Sequence, residues 1–139
     1  RNEMPRQFIH SGICEQHMIA MAAGLSLMNK KAFCYAMAPF ITSRCYEQIK
    51  CSVAAMNTNV TLIGIGVGLG YADAGPTHYA TEDLSCLHAL IGSEVNTISD
   101  PSIAKLITDD ITQNPRYRQK LSQIANGSSI RKRVSSWPI

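Results

Sequence analysis

The sequence predicts an α/β fold, a three-layer α/β/α arrangement with a mostly parallel sheet. Three observations carry this expectation. Strand-like and helix-like segments alternate along the chain, the pattern of a parallel sheet joined by crossover helices. Val60 to Val67 is almost wholly apolar and rich in β-branched residues, as expected of a central strand covered on both faces. A loop with four alternating glycines then leaves the carboxyl end of that strand, the edge at which open parallel sheets bind ligands.

Gln7 to His10 is expected as a short first strand. A helix follows from about Glu15 to Met28, where Met18, Met21, Leu25 and Met28 recur at helical spacing and Ala22 and Ala23 allow close packing. Lys31 to Met37 reads as a second strand. Thr42 is a candidate cap for the next helix, with Tyr46, Ile49, Val53 and Met56 on one face. After the central strand come the glycine-rich loop to His78, a short helix over 81–90 and a strand from Val95 to Ser99. Asp100 as a cap and Pro101 at the first helical position open a helix with Ile103, Leu106, Ile107 and Ile111 on one side. Tyr117 to Ile124 is the last strand candidate, and periodicity ends after Asn126-Gly127. One domain is therefore expected over 1–125, with 126–139 a linker or disordered tail.

A chain of 139 residues can bury a core, and 45% hydrophobic against 17% charged residues excludes a disordered polymer. No apolar run reaches the ~18–20 residues of a membrane span. The start carries no signal-peptide pattern, so a cytoplasmic location and no membrane partner are expected. The sequence opens on Arg1 rather than Met, as a fragment or processed product would. Five cysteines, an odd number set in apolar segments, read as reduced core thiols. Cys14-x-x-His17 and Cys86-x-His88 each lack a second matching half, so no metal ligands are assigned. Residues 115–139 hold six basic residues and no acid, which leaves 7 bases against 10 acids, or −3, in the rest of a chain of net charge +3. Arg131-Lys132-Arg133 is a short cluster without interleaved aromatics. It reads as a solvated tail, with no nucleic-acid partner expected.

Two stretches break the globular pattern. In GICEQHM, residues 12–18, a carboxylate stands where an apolar strand gives way to an apolar helix. Glu15 suits the first turn of a helix through the macrodipole alone. Crowding by apolar neighbours on both sides also makes it a candidate desolvated acid, with a raised pKa and a role in proton exchange. In GIGVGLGYADAGPTH, residues 64–78, no register supplies the dinucleotide fingerprint GxGxxG, and the phosphate-loop lysine is absent. The glycines require sharp turning or close approach, and Asp73, Thr77 and His78 arrive together after them. Taken alone, the loop allows either a ligand site or an ordinary turn with a capping histidine.

GICEQHMIAMAAGLSL resembles the opening of the pyrimidine-binding domain of the transketolase family, which includes 1-deoxy-D-xylulose-5-phosphate synthases and the C-terminal subunits of split transketolases. AMAPFITSRCYEQIK is similar to that family's second motif, and GYADAGPTHYATEDLSCLHAL to its third. The three occur in the family's order over residues 8–90. The resemblance implies that Glu15 bonds the aminopyrimidine ring of thiamine diphosphate, favouring the tautomer through which the cofactor's own amine takes up the thiazolium proton. It implies that Phe40 stacks on the pyrimidine, that Arg44 lies beside that pocket, and that His78 faces substrate and donates to developing oxyanions. Arg44 also has a local alternative partner in Glu47, three residues on.

Departures from the family fall on the sugar-facing side. The acid expected directly before the glycine of GPTH is Ala74, with Asp73 one step earlier as the candidate for a substrate hydroxyl. A histidine common near the start of the glycine loop falls at Gly66, and an aromatic common three residues before Phe40 is Met37, with Tyr35 a possible substitute. The family's preceding strand is missing from this sequence, which makes the expected fold incomplete at its N-terminus. The domain that holds the diphosphate through Mg²⁺ is missing too. The resemblance therefore implies a diphosphate-binding domain or subunit as partner, a homo- or hetero-oligomer such as a dimer, a phosphorylated sugar substrate, and no activity for this segment alone. The implied reaction transfers a two-carbon ketol unit between sugar phosphates. The rivals are acyl transfer of the deoxyxylulose-phosphate synthase kind, favoured by EQH and by DLS-x-L after GPTH, and a non-catalytic assembly module.

Overall fold

The computed structural model describes residues 3–113 and the strand 120–124, the latter by its backbone alone. Its sheet has four parallel strands in the order β1-β2-β4-β3, where β1 is Ala32–Met37, β2 is Val60–Ile65, β3 is Val95–Ile98 and β4 is Lys120–Ile124. The helix α1, Glu15–Leu27, precedes β1. Between β1 and β2 the chain forms α2, Ala38–Ile41, a 3₁₀ turn Ser43–Cys45, α3, Tyr46–Gln48, and a π-helical segment Ile49–Ala54. Two 3₁₀ turns, Ala72–Ala74 and Pro76–His78, lead to α4, Asp83–His88, and α5, Pro101–Gln113, joins β3 to β4.

One core cluster unites Ile19, Ala22 and Ala23 of α1 with Cys34 of β1, Ile41, Cys45, Ile49 and Val53, Val60 and Leu62 of β2, Leu87, Leu90 and Val95. Side chains alternate across a strand, so Val95 and Ile98 point to opposite faces of β3. Ile98 is buried outside that cluster, as is Ile111 of α5, which packs against β3. The expected α/β architecture is thus present, with a sheet that is parallel throughout the described residues.

The buried stripe of α1 is not the methionine row. Ile19, Ala22 and Ala23 face the sheet, while Met18 packs at the edge of the core and Met28 is exposed. Asn29 takes φ +60°, and Lys30 N–H reaches back to Leu25 O at 3.1 Å, a left-handed stop that leaves Met28 outside the helix. Asn57, at φ +50°, ends the π segment in the same way and leaves Met56 exposed. Thr42 does not cap: its buried hydroxyl donates to Ala38 O at 2.5 Å, one helical turn back, and the expected single helix after it is divided into three short pieces, with a further short helix, Ala38–Ile41, ahead of it. Leu106 is exposed, whereas Ile103 and Ile107 are partly buried and Ile111 is buried. Asp100 caps as expected, accepting from Ser102 N–H at 2.8 Å and Ile103 N–H at 3.1 Å.

Gln7 to His10 forms no strand. Gln7 N–H closes a turn onto Met4 O at 3.1 Å, and Phe8 and Ile9 are exposed. Among the described residues β1 pairs only with β2, so this segment finds no neighbour for a ladder. The first residues of the expected Tyr117–Ile124 strand, the proposed tail 126–139 and its basic cluster lie outside the described residues.

Gly64 sets the position of the segment that follows β1. It pairs with Ala36, and a Cβ there would lie 3.2 Å from Ala38 Cα and 3.3 Å from Ala38 Cβ. The missing side chain lets α2 settle on β2 at its carboxyl end. Gly64→Val is expected to destabilise the fold by about 1–3 kcal/mol through overpacking, measured as a lower urea midpoint at unchanged m.

Candidate functional site

Gly12, at φ +74°, turns the chain into α1, and Glu15 is the first residue of that helix. Its side chain is 13% exposed, and its Oε2 lies 3.2 Å from Arg44 Nη1. Gln16 Nε2 donates to Arg44 O at 3.2 Å, so the start of α1 and the turn Ser43–Cys45 are tied twice. Arg44 therefore pairs across the fold with Glu15 rather than with Glu47, three residues on in α3. The Arg44 guanidinium carbon sits 3.9 Å from the centroid of the Phe40 ring, a cation–π contact. Phe40 belongs to α2, directly beyond the carboxyl end of β1.

The glycine loop brings the opposite wall. Gly68 and Ala80 exchange backbone hydrogen bonds of 3.1 and 2.9 Å, which clamps the loop against the residues after GPTH. His78 lies edge-on to Phe40, with ring centroids 5.0 Å apart at 68°. Thr77 Oγ1 lies 2.9 Å from His78 Nδ1. Beyond His78 is Tyr71, with centroids 6.5 Å apart at 66°. Glu15, Arg44, Phe40, His78 and Tyr71 thus form one continuous row past the carboxyl ends of β1 and β2.

Asp73 is exposed in the turn Ala72–Ala74 and makes no ion pair among the described residues. Tyr35, on β1, is 61% exposed and is not part of the row's ring contacts. Two features were not anticipated from the sequence. Tyr71 is one of them, since its contact depends on a left-handed loop. The other is Glu82, which accepts from Ser43 Oγ at 2.9 Å and from Thr81 Oγ1 at 3.1 Å, linking the loop to the Arg44 turn. The Ser43 hydroxyl is the largest influence holding the Glu82 carboxyl below its ordinary range. The glutamate of the ED pair after GPTH was the available signal.

Behind the row lie two thiols. Cys45 is fully buried and its Sγ is 3.1 Å from Phe40 O. Burial, then the Glu15 charge, push the Cys45 thiol up to about 11, against a smaller lowering by Arg44. Burial and Cys45 push Cys34 up to about 12. Cys14 and Cys51, expected in the core, are instead exposed. Both raised thiols favour the folded state fully below the ordinary thiol value of 9.0, and that contribution is lost as pH rises from there through about 11–12. Iodoacetamide at pH 8 is expected to label Cys14 and Cys51 in the native protein and Cys34 and Cys45 only after unfolding, as read by peptide mass mapping. Rapid native labelling of Cys45 would contradict the packing behind Phe40.

The donor set fits an aminopyrimidine. Glu15 offers one carboxylate oxygen held by Arg44 and a second, Oε1, without a hydrogen bond among the described residues. Phe40 offers an aromatic ring beside it, over which the Arg44 guanidinium already sits at 3.9 Å. Among the described residues no three His, Cys, Asp or Glu side chains are grouped to hold a metal ion, and no helix is long and apolar enough to cross a membrane.

Residues 1–115 match the family model described as transketolase, pyrimidine binding domain. Among curated proteins, the chain is 35% identical over 107 residues to a subunit of the apulose-4-phosphate transketolase of Actinobacillus succinogenes, covering 77% of this chain and 34% of that protein. It is 38% identical over 105 residues to 1-deoxy-D-xylulose-5-phosphate synthase of Chlorobium luteolum, covering 76% of this chain and 16% of that one. A solved structure described as a split gene transketolase, inactive beta4 tetramer, superposes with a TM-score of 0.77 at 25% identity, covering 96% of this chain and 41% of the other. The chain spans about a third of the length of the apulose-4-phosphate transketolase subunits that it matches.

Proposed function

This chain belongs to the family of transketolase pyrimidine-binding domains, and from that premise we propose that it supplies the pyrimidine half of a thiamine-diphosphate site in a transketolase-like transferase. The observation that carries the reading is the row Glu15–Arg44–Phe40–His78, a mostly buried carboxylate and an aromatic ring assembled by a guanidinium at the carboxyl edge of the sheet. When bound, thiamine diphosphate supplies the nucleophilic thiazolium carbon. Glu15 Oε1 would bond the pyrimidine ring nitrogen, and Arg44 fixes the direction of that carboxyl group. Phe40 would pack against the pyrimidine ring. With the Thr77 hydroxyl as donor in its 2.9 Å contact with Nδ1, the His78 proton would sit on Nε2 and donate to a substrate oxygen. Asp73, exposed on the neighbouring turn, is assigned to a substrate hydroxyl.

The diphosphate and its Mg²⁺ are assigned to a second domain or subunit, in an oligomer such as a dimer. One of the solved relatives is named for a split gene and a tetramer, which supports a partnered site. Five unpaired thiols fit a reducing compartment such as the cytoplasm. The segment alone is expected to be inactive. The test is product analysis of the complex with a diphosphate-domain partner. Ketol transfer between sugar phosphates supports the reading. Deoxyxylulose phosphate formed from pyruvate and glyceraldehyde 3-phosphate transfers the same residues to the synthase reaction, and absence of both supports an assembly module.

A further inference from the structure

The one aromatic side chain of the row without a task is Tyr71. Gly66 takes φ +72°, and a Cβ built there would lie 2.0 Å from Tyr71 Cε2 and 2.3 Å from Cδ2. The Tyr71 ring therefore fills the volume that a side chain at 66 would need. The loop beneath it is held by Gly70 N–H on Val67 O at 3.1 Å, by the Gly68–Ala80 pair, and by Ala74 N–H on Tyr71 O at 3.0 Å. Gly70 packs back on Gly66 so closely that its own Cβ would lie 3.0 Å from Gly66 Cα. This is a fixed seat for the ring. It meets His78 in a T-shaped contact, on the side of the row away from Glu15, and its hydroxyl has no hydrogen bond among the described residues.

We propose that Tyr71 is a substrate-contacting residue whose phenol hydroxyl bonds an oxygen on the carbon chain of a sugar phosphate beside His78, in place of a side chain at position 66. The inference rests on the function proposed above. Glu15 and Phe40 are then committed to the pyrimidine, so a group beyond His78 meets the substrate and not the cofactor. A bare glycine at 66 is not a lost function in this arrangement, because the glycine is the condition for seating the tyrosine.

The experiment is steady-state kinetics of the complex with its diphosphate-binding partner, using fructose 6-phosphate as the probe donor, alongside titration with thiamine diphosphate. Tyr71→Phe is expected to raise KM for the ketose phosphate roughly tenfold, the size of one lost hydrogen bond, with cofactor affinity unchanged. Tyr71→Ala should raise KM for the ketose phosphate further, again without loss of cofactor affinity. Gly66→His should impair the fold as well as activity, because the ring fills that space and a side chain at φ +72° is strained in any case. A purely structural tyrosine would not confine the Tyr71→Phe loss to KM for the sugar, since its ring and packing are retained. Wild-type KM in Tyr71→Phe, or a loss confined to cofactor affinity, overturns the proposal. So does a cofactor-loaded wild-type complex that does not use the ketose phosphate. A wild-type complex that binds no thiamine diphosphate overturns the pyrimidine-site reading itself, and this proposal with it.

Discussion

Glu15→Ala is expected to lower turnover of the assembled enzyme by roughly 10²- to 10⁴-fold, the range for loss of a positioned proton-exchanging group. The fold should survive. Arg44, 44% exposed on its side chain, can return to water when its partner is removed, and the pair contributes about 1 kcal/mol or less. Glu15→Gln separates the two contributions. It keeps the shape and a hydrogen bond but cannot exchange the proton, so it should be almost as inactive as alanine while unfolding at the wild-type temperature. Turnover, circular dichroism and a thermal melt on the same preparations give the answer. Near-normal turnover in either variant would sink the assignment of Glu15.

Phe40→Ala should act on affinity first. The ring carries the Arg44 guanidinium at 3.9 Å and the His78 edge at 5.0 Å, so its loss releases both neighbours as well as the stacking platform. Aromatic stacking on a base is worth about 1–3 kcal/mol by alanine substitution, which predicts a rise of roughly 5- to 150-fold in the thiamine diphosphate dissociation constant of the complex. Phe40→Tyr, which keeps the ring, should retain most of the affinity. Calorimetric titration of both variants checks this. Unchanged affinity in Phe40→Ala would mean that the pyrimidine pocket has been misplaced.

The parallel sheet was readable because its evidence is local. Val60 to Ile65 has one composition throughout, and Asp100-Pro101 is a cap that works within its own first turn. Helix ends were less readable. Met28 and Met56 fit the helical spacing, yet Asn29 and Asn57 adopt left-handed conformations that stop each helix before its last apolar residue can pack. Thr42 has the composition of a cap, and only the burial of its hydroxyl turned that group back onto Ala38. The Gln7–His10 segment has strand composition, but a strand needs a neighbour, and composition cannot supply one.

At the candidate site, the residues themselves were nominated by motif resemblance, and their mutual arrangement was not. Arg44 has Glu47 three residues away and chooses Glu15, 29 positions back in the chain, because α1 and the Ser43–Cys45 turn meet at the end of the sheet. Tyr71 was hidden for a related reason. Its seat on Gly66 exists only when that glycine takes a positive φ, a choice that four alternating glycines leave open.

Native mass spectrometry of the protein, purified gently from its source, tests the central claim most directly. The account predicts a complex in which this pyrimidine-binding unit is joined to a diphosphate-binding domain or subunit and carries thiamine diphosphate with Mg²⁺. A bare 139-residue species without partner or cofactor would contradict it, and would leave the row from Glu15 to His78 as an inherited arrangement without chemistry.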